Sequence, residues 1–365
     1  MVHILIILIF VYLIVFSVLI YYLAKPSKNE NFFNGNYKIS IIVPLRNEEK
    51  NLKNLINGLL LQQYHNIEII FVNDHSTDNT YEIIQELAFK NSNIKVINLN
   101  DDEFGKKYAI KKGINVCSGS WVVLTDADVH LNSLWLLELS KYFNDYELIM
   151  APVLICSKKT NFLNIFEFFD TIAMQLLSYS ASNAGYPFLA SGANMAIKRE
   201  IIAELYENIN LMIPSGDDVF LLHNYLKKYN KAKFIFDDNA VVYVNPNSSL
   251  KSFIRQRLRW SSKVVYYRNT AALFFSLLIF LTHFIGLLTF LKIVFWGEVV
   301  EIFFVCIILK LIVDLLFVRK ANKLIKISYK YWLFFPVVWF LYYFYISFVP
   351  LASIFIKINW KDRKW

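Results

Sequence analysis

The chain has 365 residues, enough for one large water-soluble domain plus several membrane segments. It is 56% hydrophobic and 17% aromatic but only 18% charged, too apolar for a purely soluble protein of this size. The net charge of +9 comes mostly from lysines and arginines flanking apolar runs; with no basic stripe of interleaved aromatics, nucleic acid is not an expected partner.

The first element is a near-continuous apolar run, Val2–Leu23. No basic residue precedes it, it is longer than a signal-peptide core, and no clear small-residue cleavage site follows, so residues 1–24 read as an uncleaved membrane anchor. Runs at 271–291, 299–318 and 331–356 are further candidate spans. Lys25, Lys28 and Lys38 follow the first run, and Arg319, Lys320, Lys323, Lys326 and Lys330 follow the third. The excess of positive charge on cytoplasmic loops therefore places the polar domain at the cytoplasmic face of a cell (inner or plasma) membrane, in a multi-pass chain. Lys357, Lys361, Arg363 and Lys364 ask for the same side, which requires the last run to re-enter. Pro336 and Pro350 permit a broken or hairpin geometry there, and the side of the C-terminus stays open. Cys117, Cys156 and Cys306 have no metal-ligand spacing, imply no disulfide framework and suit a reducing compartment.

Residues 38–250 alternate strands and helices. A strand at 39–43 precedes a helix with Leu52, Leu55, Ile56, Leu59 and Leu60 at helical spacing. A second strand, 67–72, runs into the capping turn 73–78 and a helix carrying Ile83, Ile84 and Leu87. A strand at 94–99, a helix at 106–114 and a strand at Trp121–Leu124 follow. This alternation predicts an α/β domain with a mainly parallel sheet, whose ligands bind beyond the carboxyl ends of the strands. Three polar segments fall there: 44–48, 73–78 and 126–128. No G-x-G-x-x-G follows a strand, and Gly105-Lys106 lacks the upstream glycine and the Ser/Thr of a P-loop, so a bound nucleotide would be held by carboxylates.

Asp126-Ala127-Asp128 leaves the buried run Trp121–Leu124. Two carboxylates there are costly unless a cation neutralises them, and a divalent ion bridging to a diphosphate is one such cation. Asp217-Asp218 opens a helical pattern, where acids also serve as ordinary first-turn residues. Gln256-Arg-Leu-Arg259-Trp260 offers hydrogen bonds, a phosphate-matching fork and a flat ring. With Phe253, Ile254, Arg255 and Leu258 it also describes an amphipathic interfacial helix within 251–269, and both readings can hold. Phe162, Ile165, Phe166, Phe169, Ile172 and Ala173 read as packing. His75 and His130 have no assigned role. Lys310 and Asp314, i and i+4 within a candidate span, read as an ion pair that neutralises itself.

Together these motifs resemble the inverting family 2 glycosyltransferases of the GT-A fold, narrowly the membrane-integrated branch with a Q-x-x-R-W motif. That branch includes the cellulose, chitin, hyaluronan and poly-N-acetylglucosamine synthases and the ceramide glucosyltransferases. The resemblance covers about residues 38–268 and, in outline, the membrane region 271–356. It implies a Rossmann-like sheet with transmembrane helices. In Ser40-Ile-Ile-Val-Pro44-Leu-Arg-Asn-Glu48-Glu, it implies that Pro44 and Glu48 lie at the nucleotide. In Val72-Asn-Asp-His-Ser-Thr-Asp78 it makes Asp74 the base-binding carboxylate, with Asn73 in place of the usual first acid. Lys106 approaches the diphosphate. Asp128 is the direct ligand of Mg2+ or Mn2+, and Asp126 a ribose or metal contact. Ser191–Ala196 lines the acceptor side, Asp218 is the catalytic base, and Asp217 stands where the family usually has glutamate. Asp217, Gln256, Arg259 and Trp260 serve the acceptor and diphosphate.

The implied activity is transfer of a sugar from a nucleotide-diphosphate donor, UDP-linked in first expectation, to a lipid or lipid-linked glycan. The few spans offer little material for a polymer channel in one protomer, although a homo-oligomer or a partner subunit could supply more. A processive polysaccharide synthase and a non-catalytic membrane subunit are the alternatives. Sugar and acceptor depend on pocket shape, which motifs do not encode.

Overall fold

The computed structural model describes the chain apart from residues 1, 26–35, 157–160, 208, 210–215, 298–300, 326, 357–358, 361–362 and 365. Lys28, Lys326, Lys357 and Lys361, which enter the expected topology, lie outside the described residues. In chain order the elements are α1 (Val2–Leu23), β1 (Ile39–Leu45), α2 (Glu49–Leu60), β2 (Ile67–Asn73), α3 (Thr80–Lys90), β3 (Ile94–Asn98), α4 (Lys106–Val116), β4 (Trp121–Leu124), β5 (Val129–His130) and α5 (Trp135–Ser140). There follow β6 (Leu148–Met150), β7 (Val153–Ile155), α6 (Phe162–Asn183), β8 (Met195–Lys198), α7 (Arg199–Glu207), α8 (Asp217–Tyr225), β9 (Ala232–Phe234), β10 (Val242–Val244), α9 (Leu250–Ser261), α10 (Thr270–Trp296), α11 (Glu301–Lys320) and α12 (Tyr329–Phe355). The chain divides into two compact units.

One unit comprises residues 27–156 and 189–245. Its seven-stranded sheet runs β3-β2-β1-β4-β8-β6-β9. β1 pairs in parallel with β2 and β4, and β2 with β3, whereas β8 runs antiparallel to β4 and β6. Ile39, Ile41, Val43, Ile69, Phe71, Trp121 and Val123 are buried because the inner strands are covered on both faces. α2 turns Leu52, Leu55 and Leu59 inward, as its 3.6-residue spacing predicts. A three-stranded sheet, β5-β10-β7, lies beside the first. The expected parallel sheet is thus present at β3-β2-β1-β4 and becomes mixed beyond it.

A buried carboxylate ties the centre of this sheet together. Glu68 on β2 accepts through Oε1 from Ser40 Oγ at 2.5 Å, Ser118 N at 2.5 Å and Gly119 N at 3.2 Å, and through Oε2 from Lys95 Nζ at 2.9 Å. Burial alone would raise its pKa; the hydrogen bonds from Ser40, Lys95 and Ser118 outweigh that and lower it to about 2.

The other unit comprises residues 1–26, 157–188 and 246–365. The segment 157–188, inside the range 38–250 expected for the glycosyltransferase domain, therefore belongs with the long apolar helices. The reason lies in α6, whose Phe166 meets Phe253 and Tyr342 edge-on or tilted and whose Phe169 meets Phe335. Packing is thus the role its aromatic face plays. α1, α10 and α12 are long and apolar enough to cross a membrane. α11 has 20 residues and carries Lys310 and Asp314. The final run is not broken into a hairpin: α12 is one helix of 27 residues with Pro336 and Pro350 inside it. Proline lacks the N–H that would bond the carbonyl four residues back, and it is tolerated in an apolar helix when neighbouring groups meet the carbonyl so freed.

The pairing of Lys310 with Asp314 is present at 2.6 Å and is one part of a larger polar knot. Asp314 also accepts from Tyr12 Oη of α1 at 2.6 Å and Trp339 Nε1 of α12 at 2.7 Å. Lys310 faces Nε2 of His283 on α10 at 3.3 Å, and His283 Nδ1 lies 2.7 Å from the Ile279 carbonyl. Four helices therefore meet at one buried ion pair, whose carboxylate accepts from α1, α11 and α12.

Candidate active site

One end of the candidate site is built where β1, β2 and α4 meet. Pro44 lies in β1 opposite Val72, and Glu48 directly precedes α2. Glu48 is held locally: its N–H donates to Thr80 Oγ1 at 2.8 Å and its Oε2 accepts from Asn51 Nδ2 at 2.7 Å. Asn47 and His75 both have left-handed backbone, with φ of 53° and 55°. Short polar side chains tolerate that region best, and strain there accompanies a tightly specified loop. Asp74 is buried and accepts from Gly105 N at 3.0 Å, while His75 Nδ1 lies 3.1 Å and Arg46 Nη1 4.0 Å from its Oδ1. Gly105 has φ of 96°, which a residue with Cβ rarely adopts, so glycine is needed to turn the chain into α4 with its N–H on Asp74.

The acidic end gathers residues from four segments. Asp126 and Asp128 flank the buried Ala127 in the turn between β4 and β5, Asp126 half-buried and Asp128 exposed. Lys106 opens α4, and its Nζ lies 2.5 Å from Asp126 Oδ1 and 3.5 Å from Asp217 Oδ2. Burial alone would lower the Lys106 pKa; Asp126, Asp217 and Asp218 outweigh it and hold the ammonium firmly charged. Asp217 and Asp218 form the first turn of α8, after Gly216. Asp218 accepts from its neighbour Val219 N at 2.8 Å and from Gly192 N at 3.2 Å. The first-turn reading and a chemical role are thus compatible. A Cβ at Gly192 would stand 3.1 Å from Lys106 Nζ and 3.2 Å from Asp217 Oδ2, so the segment 191–196 approaches the cluster closely and a larger residue there would press on both side chains.

The carboxylates suit a divalent ion. Asp217 Oδ2 is buried and accepts no hydrogen bond among the described residues, and hard cations prefer such oxygens. No three acidic, imidazole or thiol groups among the described residues enclose a metal position. An ion bound by Asp126 and Asp128 would complete its shell from a substrate diphosphate, as Mg2+ commonly does.

Gln256, Arg259 and Trp260 lie on α9, which starts from a capping box at Ser249 and Ser252. All three are half-buried. The residue between them, Arg257, is only 2% exposed and turns inward on Asp170, Glu167 and Gln256.

Three further residues belong to these clusters without having been singled out. Arg46 donates from Nη1 to the Asp74 carbonyl at 2.9 Å; its place beside Pro44 and Glu48 was a signal. Gly192 lay within the quoted 191–196 segment. Tyr206 left no trace, because an aromatic in the amphipathic α7 reads as core. Its hydroxyl is buried with no hydrogen-bond partner among the described residues. Burial, then the charges of Asp217 and Asp218, push its pKa well up and keep it a neutral donor.

Residues 40–206 match the sequence model of glycosyl transferase family 2. The chain is 36% identical over 118 residues to the 4,4'-diaponeurosporenoate glycosyltransferase of Staphylococcus haemolyticus, covering 32% of this chain and 31% of that protein. It is 26% identical over 243 residues to the probable glycosyltransferase YdaM of Bacillus subtilis, covering 61% and 54%. The chain spans 16% of the length of another relative, the glycosyltransferase GlyA of Streptococcus pneumoniae, so its matches are to parts of these proteins. In fold it is similar to the mannosyltransferase PcManGT of Pyrobaculum calidifontis, solved with GDP-Man and Mn2+, at a TM-score of 0.55, with 18% identity and 71% and 70% of the two chains covered. Residues 40–206 therefore match glycosyl transferase family 2, on a fold similar to that of a solved mannosyltransferase, and the chain also carries helices long and apolar enough to cross a membrane.

Proposed function

We propose that the protein is a membrane-bound, inverting glycosyltransferase that moves a sugar from a UDP-linked donor to a lipid or lipid-linked glycan at the cytoplasmic face of a cell membrane. The observation that carries this reading is the cluster of Lys106, Asp126, Asp217 and Asp218 around Gly192, with Asp74 held by the N–H of Gly105 next to Lys106. It combines a cation for a leaving diphosphate with carboxylates that can take a proton.

Each residue has a defined task in the reaction. Asp74 and Glu48, with Pro44 beside them, bind the base and ribose. The charged Lys106 faces the diphosphate, where it offsets negative charge building on the leaving group. Asp126 and Asp128 would hold a divalent ion, which when bound supplies Lewis-acid stabilisation to the same oxygens. Asp218 takes the proton of the acceptor hydroxyl as that oxygen attacks the anomeric carbon. The bond to the β-phosphate oxygen breaks with its electron pair leaving on the nucleoside diphosphate, and the single displacement inverts the centre. The Gly192 N–H fixes one oxygen of Asp218, and Tyr206 offers its neutral hydroxyl behind the acidic pair. Lysines and arginines beside the apolar helices support the cytoplasmic orientation, and the three long apolar helices support a membrane-embedded acceptor.

The test is product mass analysis of membranes carrying the chain and supplied with a panel of nucleotide sugars. A discrete glycolipid is expected; a ladder of lengths would replace it with a processive synthase. Asp218→Asn should retain nucleotide binding and lose transfer by about 100-fold or more. Turnover unchanged in that variant would remove Asp218 as base, and nucleotide binding without any transfer by the unaltered chain would favour a non-catalytic subunit.

A further inference from the structure

The two arginines of the Gln256–Trp260 segment differ in kind. Arg259 is half-buried, whereas Arg257 is enclosed by its own unit. Arg257 Nε donates to Asp170 Oδ2 at 2.6 Å, and Nη2 lies 4.0 Å from Glu167 Oε1. Asp170 is held in turn by the Tyr342 hydroxyl. The guanidinium carbon sits 4.6 Å from the Phe253 ring centroid and 4.2 Å from that of Trp260, so the fork is stacked between two rings of α9. Its Nη1 donates to Gln256 Oε1.

Gln256 Oε1 also accepts from Asn247 Nδ2 at 3.0 Å. Asn247 cannot turn over. Its Nδ2 donates to Glu167 Oε1 at 2.6 Å and its backbone N–H to Glu167 Oε2 at 2.9 Å, and a carboxylate only accepts. Two donors therefore converge on one end of the Gln256 amide. Exchanging its oxygen and nitrogen would set an NH2 against both donors. The amide has one permitted sense, with oxygen inward and NH2 outward.

We propose that Arg257, backed by Asn247, Glu167 and Asp170, is a positioning residue that presents the Gln256 NH2 as a hydrogen-bond donor and holds the Trp260 ring. The ligand class is an oxygen acceptor, either a diphosphate oxygen or a sugar hydroxyl. This rests on the glycosyltransferase reading above.

The test uses the full chain in detergent or nanodiscs. Arg257→Ala is uninformative, since it would leave two buried carboxylates unpaired. Gln256→Glu keeps an oxygen for both inner donors and removes the outward NH2. It should keep the thermal midpoint of the unaltered chain while transfer falls about 10- to 100-fold. A parallel fall in UDP affinity would assign the NH2 to the diphosphate; unchanged UDP affinity would assign it to a sugar hydroxyl. Arg257→Lys keeps the charge without the planar fork. It should lower transfer about tenfold in the unaltered background and by a smaller factor in the Gln256→Glu background. Transfer unchanged in Gln256→Glu, or the same loss from Arg257→Lys in both backgrounds, would overturn the proposal. Should the unaltered chain transfer no sugar, the function reading fails by itself. Cryo-EM density then decides the positioning claim: single Gln256 and Trp260 rotamers that become spread in Arg257→Lys support it, and identical rotamers in both overturn it.

Discussion

Replacing Lys106 by methionine should move two affinities in opposite directions. The ammonium lies 2.5 Å from Asp126 Oδ1 and 3.5 Å from Asp217 Oδ2. At an effective dielectric of about 20, Coulomb's law gives gross attractions of about 7 and about 5 kcal/mol. Lys106 is 21% exposed and Asp126 36% exposed, so solvent screening and the cost of desolvating the charge reduce the net benefit to about 1–3 kcal/mol. The methionine side chain would occupy much the same space while removing the positive charge beside Asp126 and Asp217. Without nucleotide, a divalent ion would then meet the acids without a competing ammonium, and Mn2+ should bind roughly 5- to 150-fold more tightly. A diphosphate would lose one charge-assisted contact, and UDP should bind about 10- to 100-fold more weakly. Isothermal titration of Mn2+ alone, then of UDP at saturating Mn2+, measures both. Mn2+ should also restore thermal stability lost in the variant. If the two affinities fall together, or neither moves, Lys106 does not hold the place of a cation in this cluster.

Other outcomes follow from the same geometry. Asp128→Ala should lose Mn2+-dependent UDP affinity by about tenfold or more in titration, and retained affinity would assign the metal to other groups. Glu68→Gln should lower stability at neutral pH by about 3 kcal/mol, the worth of a drop from 4.5 to about 2. Because the folded carboxyl is depressed, that stability is full above about pH 5 and fades as pH falls toward 2. Thermal unfolding across this range should therefore show the gap between variant and unaltered chain closing with acid, and a constant gap would mean the carboxylate is not the cause. In the apolar bundle, Lys310→Met and Asp314→Asn should each destabilise by about 3–5 kcal/mol, since each strands a buried partner, and the double variant by clearly less than the sum. Additive losses in a double-mutant cycle would show that the pair does not act as a unit.

The comparison between sequence and structure divides by physical cause. Local patterns located the strands β1 to β4 to within two residues, because buried parallel strands are short apolar runs bounded by turn residues. The same rule foresaw that Pro44–Glu48, Asn73–Asp78 and Asp126–Asp128 share one end of the sheet. Lys310 and Asp314 were legible as a pair from i, i+4 spacing alone. The sequence was silent where partners come from distant segments. Tyr12, His283 and Trp339 around that pair, Tyr206 behind Asp217, and Gly192 against Lys106 carry no local mark, because each is an ordinary residue until the fold sets something beside it. The helix α6 reads as part of the polar domain by position, yet its aromatic face chose the apolar helices as partner. Arg257 and Arg259 are indistinguishable as letters two positions apart. Helix geometry separates them, since two residues span about 200° of the turn, so Arg257 is enclosed against Asp170 and Glu167 while Arg259 is half-buried on another face of the helix. Composition and periodicity determined the class of domain, the long apolar helices and the place of the acids, because burial is a local property of pattern. Which charge neutralises which, and which donor is left to meet a substrate, was decided only in three dimensions, because electrostatic and hydrogen-bond partners are chosen by distance through space rather than along the chain.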